Sequence, residues 1–182
     1  LVGSEMCIRD RTEPRVQELL GDLMDRAENP SLAPYAKPGE VMLRLTAKGE
    51  SPQDCQERMA PLFWDVRSRL GDCLYGVDVS SLEEVVITRL RQKGLTLSAA
   101  ESCTGGLIAK RITDVPGASG VFMGGIVSYT NIVKHRILGV PADMLEEYGA
   151  VSAPVARAMA EGARKATTAD CAVSVTGVAG PD

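Results

Sequence analysis

Apolar residues at Val16, Leu19, Leu20, Leu23 and Met24 recur at the three-and-four spacing that lays one stripe along a helix, predicting a helix from Thr12 to about Glu28. The stretch that follows, NPSLAPYAKPGE over residues 29–40, is rich in proline and reads as a loop, because proline donates no ladder hydrogen bond. In EVMLRLTAK (40–48) the period changes to two. Val41, Leu43, Leu45 and Ala47 share one face, and Met42, Arg44, Thr46 and Lys48 the other, which predicts a half-buried strand. Ser51, with Pro52 at the first helical position and Asp54 three residues on, opens a helix whose inward stripe is Met59, Leu62, Phe63 and Val66; Gly71 ends it. A strand over 73–77 completes a small α+β unit at residues 12–78. Residues 1–11, LVGSEMCIRDR, show neither period. They resemble the non-native translated ends of chains predicted from assembled environmental DNA, and no regular structure is expected of them.

From residue 79 the punctuation is different. Ser81 with Glu84 forms a second capping arrangement ahead of Leu82, Val86 and Leu90, and Gly94 closes that helix. There follow a strand (LTLSAA), a helix (GLIAKRITDV), a strand (FMGGIVSY), helices over 131–138, 141–147 and 153–167, and a strand (CAVSVT). Strands alternating with helices predict an α/β domain, a layered sheet with helices on its faces, preceded in the chain by the small α+β domain.

Composition narrows the partners. With 45% apolar residues in 182, the chain can bury a core without staples, and its formal net charge of −4, with basic residues dispersed, is the wrong footprint for gripping a nucleic-acid backbone. Five cysteines without a C-x-x-C pair, and the single histidine His135, supply no zinc set; neither a metal nor a cofactor is expected. No apolar run is long enough to span a bilayer, so no membrane partner is expected and a cytoplasmic location is.

Three segments carry candidate chemistry. Ala100-Glu101-Ser102-Cys103-Thr104-Gly105-Gly106 joins a predicted strand to a predicted helix, where glycines permit close backbone approach and first-turn N–H groups suit a phosphate or an oxyanion. Ser102 would stand there as a nucleophile or as a plain helix cap; spacing does not separate the two. A nucleophilic serine needs a base. Lys134 and His135 both begin a helix that Asn131 could cap, just after the strand ending in Ser128-Tyr129. Helix neighbours point about 100° apart, so one of the two must look away. A lysine base needs a desolvated setting, which a pocket roofed by Tyr129 could supply. Thr176-Gly177-Val178-Ala179-Gly180-Pro181-Asp182 follows the last strand, either as a close-approach segment or as a turn. All three lie beyond the carboxyl ends of strands, where open α/β sheets collect ligands.

LSAAESCTGGLIAKRITDVPGASGVFMGGIVSYTNIVKHRILGV, GAVS and SVTGVAGPD together resemble the C-terminal domain of the CinA family of competence/damage-inducible proteins, and NPSLAPYAKPGEVMLRLTAKG resembles that family's middle domain. The C-terminal domain is similar to nicotinamide-nucleotide amidohydrolase, which deamidates nicotinamide mononucleotide to nicotinate mononucleotide and ammonia. The resemblance implies Ser102 as nucleophile, Lys134 as base and Tyr129 as a tuning or relay group. It further implies that Thr104 and the Gly105 and Gly106 backbone hold the oxyanion or phosphate, and that Asn131, Thr176 and Gly177 line the substrate. It also implies a homo-oligomer in the full-length protein, further strands beyond Asp182 and a molybdopterin-binding-like domain upstream, so residues 12–182 alone are expected to be weakly active or inactive. The competing classes are a nucleotide-binding regulatory protein that keeps the pocket without the chemistry, and a nucleic-acid-associated protein.

Overall fold

The computed structural model describes residues 1–37, 39–178 and 180. The chain divides into two compact units, Leu1–Val85 and Val86–Asp182.

The first unit is a four-stranded antiparallel sheet, β1 (Val2–Arg9), β2 (Ser31–Lys37), β3 (Glu40–Ala47) and β4 (Leu74–Val77), in the order β2-β3-β1-β4. Helices α1 (Glu13–Arg26) and α2 (Pro52–Leu70) cover one face. Val16, Leu20, Leu43, Leu45 and Val66 are fully buried between them. The Ser51 hydroxyl accepts the Asp54 N–H at 3.1 Å, as the capping pattern predicts, and Gly71 takes the left-handed turn that stops α2.

Two expectations are corrected here. Residues 1–11 are not irregular, since Val2–Arg9 pairs along its whole length with β3 and partly with β4. Its Met6-Cys7-Ile8 run is buried on both sides, Met6 and Ile8 against the helices and Cys7 against Met42 and Tyr75; a strand covered on both faces has no alternation to betray it. Residues 29–40 are not simply a loop either, because Ser31–Lys37 forms β2 against β3. Its Pro34 is tolerated since β2 is an edge strand, one of whose sides needs no N–H donor. Pro38 lies outside the described residues.

The second unit is built on a parallel sheet of β5 (Leu97–Glu101), β6 (Phe122–Val127) and β7 (Cys171–Val175), with β5 in the centre. Its helices are α4 (Leu107–Thr113), α5 (Asn131–Leu138), α6 (Ala142–Tyr148) and α7 (Ala153–Thr167). The chain enters through α3 (Leu82–Lys93), whose Ser81 cap accepts the Glu84 N–H at 3.1 Å and which ends at Gly94 with φ +64°. One core layer sets Ala100, Ile126 and Ala172 of the sheet against Leu138, Val155, Met159 and Ala163. The other packs Leu97 and Phe122 against Ile87, Leu90, Ile108 and Ile112. A parallel sheet covered on both faces is the layered α/β architecture that the element order predicts.

Two glycines set the distances between layers. A Cβ on Gly125 of β6 would stand 2.8 Å from the Ala109 Cβ, so α4 approaches the sheet more closely than any side chain there would allow. A Cβ on Gly162, in mid-α7, would lie 1.9 Å from the Leu138 carbonyl oxygen at the end of α5. That neighbour is backbone and cannot rotate away. Gly162→Ala should therefore destabilise the protein by about 1–3 kcal/mol through overpacking, against a helix-propensity gain of about 1 kcal/mol from alanine elsewhere. Urea unfolding checks this, and a variant as stable as the parent would refute the close crossing of α5 and α7.

Candidate active site

Alternation along β5 decides which side chains meet. Ala100 faces the α5–α7 layer, so Glu101 turns toward α4 and Ser102, the next residue, turns back toward α5. The Ser102 N–H bonds the Val175 carbonyl at 3.0 Å, and the Ser128 N–H bonds the Glu101 carbonyl at 2.7 Å. The ends of β7 and β6 are thus stitched to either side of the β5 terminus. All three sequence segments converge at one sheet edge.

Ser102 is not a helix cap. The N-cap of α4 is Gly106, at φ +102°, preceded by Gly105 at φ +59°, and this left-handed pair makes the turn from strand to helix. The Ser102 hydroxyl, in a residue 6% exposed, instead lies 3.0 Å from Lys134 Nζ. Lys134 is 2% exposed, and its amine also donates to the carbonyls of Ser128 at 2.8 Å and Tyr129 at 3.4 Å. Burial pulls its pKa below the ordinary lysine value, with the neighbouring Cys103 acting weakly in the opposite sense. No carboxylate pairs with this amine among the described residues. Helix geometry sends the two neighbours apart: Lys134 faces Ser102, whereas His135 is exposed and its Nδ1 contacts the Val140 carbonyl at 2.8 Å.

Other predicted residues stand as follows. The helix carrying Lys134 is capped by Thr130, whose hydroxyl accepts the Val133 N–H at 3.4 Å; Asn131 is its exposed first residue and not the cap. The Tyr129 side chain is 71% exposed, so it roofs no pocket here, and its carbonyl is what touches Lys134. The Thr176 hydroxyl donates to the Ala150 carbonyl at 2.8 Å. Gly177 lies against Cys103, whose sulfur would be 3.0 Å from an added Cβ. Ala179, Pro181 and Asp182 of that segment lie outside the described residues.

Glu101 is the residue that sequence reasoning missed. Its carboxylate, 1% exposed, accepts the N–H groups of Ala109 at 2.8 Å, Ile108 at 2.9 Å and Gly106 at 3.1 Å. Desolvation alone would raise its pKa, but these bonds outweigh it and hold the carboxyl below its usual value. The Thr104 hydroxyl lies near enough to favour the anion, although it is buried without a hydrogen bond of acceptable geometry. The signal available in the sequence was a lone acid at a strand end ahead of a glycine pair. One expectation changes in consequence. The Gly106 N–H is taken by Glu101, and the Gly105 N–H by the Ser102 carbonyl at 3.0 Å, so neither is free for an oxyanion or a phosphate. Among the described residues no hydrogen bond engages the N–H of Cys103 or of Thr104. A cleft of about 600 Å³ lined by Lys110, Thr113, Pro116, Ser119 and Phe122 includes neither Ser102 nor Lys134.

Fold and site together define an open parallel α/β domain with a buried serine–lysine pair at the carboxyl edge of its sheet, preceded in the chain by an antiparallel α+β domain. The model of the CinA C-terminal domain matches residues 79–182, and that of the damage-inducible protein CinA KH domain matches residues 11–76. The chain belongs to the CinA family of competence/damage-inducible proteins. It is 48% identical over 170 residues to a CinA-like protein of Dictyoglomus turgidum, covering 93% of this chain and 41% of that one. It is 52% identical over 162 residues to one of Desulfovibrio desulfuricans, covering 89% and 38%. The chain thus spans about two fifths of the length of the curated relatives it matches. Among solved structures, the competence/damage inducible protein CihA of Agrobacterium tumefaciens is 48% identical with a TM-score of 0.54, over 56% of this chain and 61% of that one. A CinA superfamily protein of Escherichia coli is 38% identical with the same TM-score of 0.54, over 55% and 58%. Among the described residues no helix is long and apolar enough to cross a membrane.

Followed by NMR of the lysine side-chain carbons, Lys134 should titrate below the ordinary lysine value, because burial disfavours its charged form. A Lys134 that titrates at or above the ordinary lysine value would mean that its amine is solvated.

Proposed function

We propose that this domain is a serine–lysine amidase that deamidates a nicotinamide nucleotide, nicotinamide mononucleotide foremost. The observation that carries the reading is the 3.0 Å contact between Lys134 Nζ and Ser102 Oγ, made out of solvent by an amine whose proton affinity burial has lowered. A neutral amine has two hydrogens and one lone pair. The Ser128 and Tyr129 carbonyls take the hydrogens, which leaves the lone pair for the Ser102 hydroxyl proton.

The chemistry then balances with these two side chains. Ser102 Oγ attacks the carboxamide carbon as its proton passes to Lys134. The resulting ammonium returns that proton to the leaving nitrogen, ammonia departs, and an ester on Ser102 remains. Water, deprotonated by Lys134, hydrolyses the ester to the carboxylate and restores the hydroxyl. The unengaged N–H groups of Cys103 and Thr104 are the donors nearest the nucleophile along the chain and take the developing oxyanion, in place of the Gly105 and Gly106 amides. No metal or cofactor is needed for any of these steps.

The partner on this reading is a small-molecule nucleotide. A KH module clamps nucleic acid through a Gly-x-x-Gly loop, and residues 11–76 contain no such tetrapeptide, while the net charge of the chain is −4.

Expressed at the full length of its relatives, the protein should release ammonia from nicotinamide mononucleotide. Ser102→Ala should abolish turnover while nucleotide still binds. Lys134→Arg should be equally inactive, because a guanidinium stays protonated throughout the accessible pH range. Since the lysine must be deprotonated to act, kcat/KM should rise with pH along a limb centred below 10.5. Undiminished ammonia release by the Ser102→Ala variant would overturn the assignment.

A further inference from the structure

We infer that Glu101 is a positioning residue for Ser102, an internal anion that occupies the N-terminal turn of α4 and thereby fixes the strand-to-helix turn on which the nucleophile sits. The inference rests on Ser102 being the nucleophile, as proposed above.

Hydrogen bonds of both the Glu101 side chain and its backbone support it. The carboxylate ties down three amides in the first residues after the turn, Gly106, Ile108 and Ala109, all within 3.1 Å. Those amides lack intrahelical partners, as first-turn groups do, and would be orphaned in a site this dry without an acceptor. The backbone carbonyl of the same residue accepts the Ser128 N–H at 2.7 Å and the Ser128 hydroxyl at 3.3 Å. Ser128 in turn presents its own carbonyl to Lys134 Nζ at 2.8 Å. Glu101 therefore holds the serine-bearing turn with its side chain and the lysine-bearing segment with its backbone, from a position one residue before the nucleophile.

This has a consequence for substrate binding. A helix N-terminus after a glycine-rich turn is where a phosphate would ordinarily be sought. Here that place is filled by the protein's own carboxylate, which excludes a second anion by charge and by occupancy. A nucleotide phosphate must be met elsewhere along the sheet edge, since the Gly106, Ile108 and Ala109 amides are committed to Glu101.

The test is the rate at which a serine-directed fluorophosphonate labels the protein expressed at the full length of its relatives, a reaction in which the Ser102 Oγ–P bond forms, the P–F bond breaks, fluoride leaves and the hydroxyl proton passes to Lys134. Glu101→Gln keeps the shape but puts an NH₂ group against amide donors. It should slow labelling by about 10²-fold, the order of loss expected when a reacting atom is misplaced by about 1 Å. Labelling should still proceed to one equivalent per chain, which separates misplacement from unfolding. Glu101→Asp, which keeps the charge on a shorter arm, should recover part of the rate. Labelling of the Gln variant within about 2-fold of the parent rate would overturn the inference, as would a loss of extent in proportion to rate. A parent chain that fails to label would overturn it together with the nucleophilic role of Ser102. If labelling slows as expected but no chain releases ammonia from the nucleotide, Glu101 keeps its role and the amidase reading fails by itself.

Discussion

The site depends on keeping one lysine amine out of water with no acid, among the described residues, to neutralise it. An ammonium ion in that position carries a desolvation penalty of several kcal/mol, and this burial is what lowers the proton affinity of Lys134. What remains is an amine held by two carbonyls and a hydroxyl, none of which stabilises a cation as a carboxylate would. Much of the second unit can be understood as support for that arrangement. Thr130 and Gly139 cap the two ends of the helix bearing Lys134, and Gly162 lets α7 close over the end of that helix, near Leu138.

Strand parity divides labour between adjacent residues. Glu101 and Ser102 follow each other at the end of β5 and so project into opposite layers, one to the α4 turn and the other to α5. A buried carboxylate beside a buried amine would ordinarily form an ion pair and hold the lysine protonated. Here the sheet keeps them on different sides. The acid directs its acceptor capacity to backbone N–H groups, and the amine contacts the serine hydroxyl and two carbonyls instead.

Periodicity and capping chemistry were readable wherever an element has one wet face. α1, α2, α7 and β3 each carry a clean stripe or alternation, and Ser51, Ser81, Gly71 and Gly94 mark ends by mechanisms that act within a few residues. β1 was not readable because burial on both faces erased its alternation, and β2 was not because a proline that forbids a central strand is harmless at an edge. Asn131 and Thr130 are both competent caps, and only the path of the chain leaving β6 selects the threonine.

At the site the division follows the range of the forces. Local sequence by itself determined that a serine follows a strand, that a glycine pair turns the chain after it, and that a lysine and a histidine open a helix beyond another strand. The tertiary structure alone decided that Lys134 faces inward and His135 outward, that the Tyr129 ring stands in solvent, and that Glu101 consumes the amides a phosphate would have used. Those outcomes are set by which strand ends are hydrogen-bonded side by side and by how much water reaches them, and neither quantity is encoded in any short window of residues.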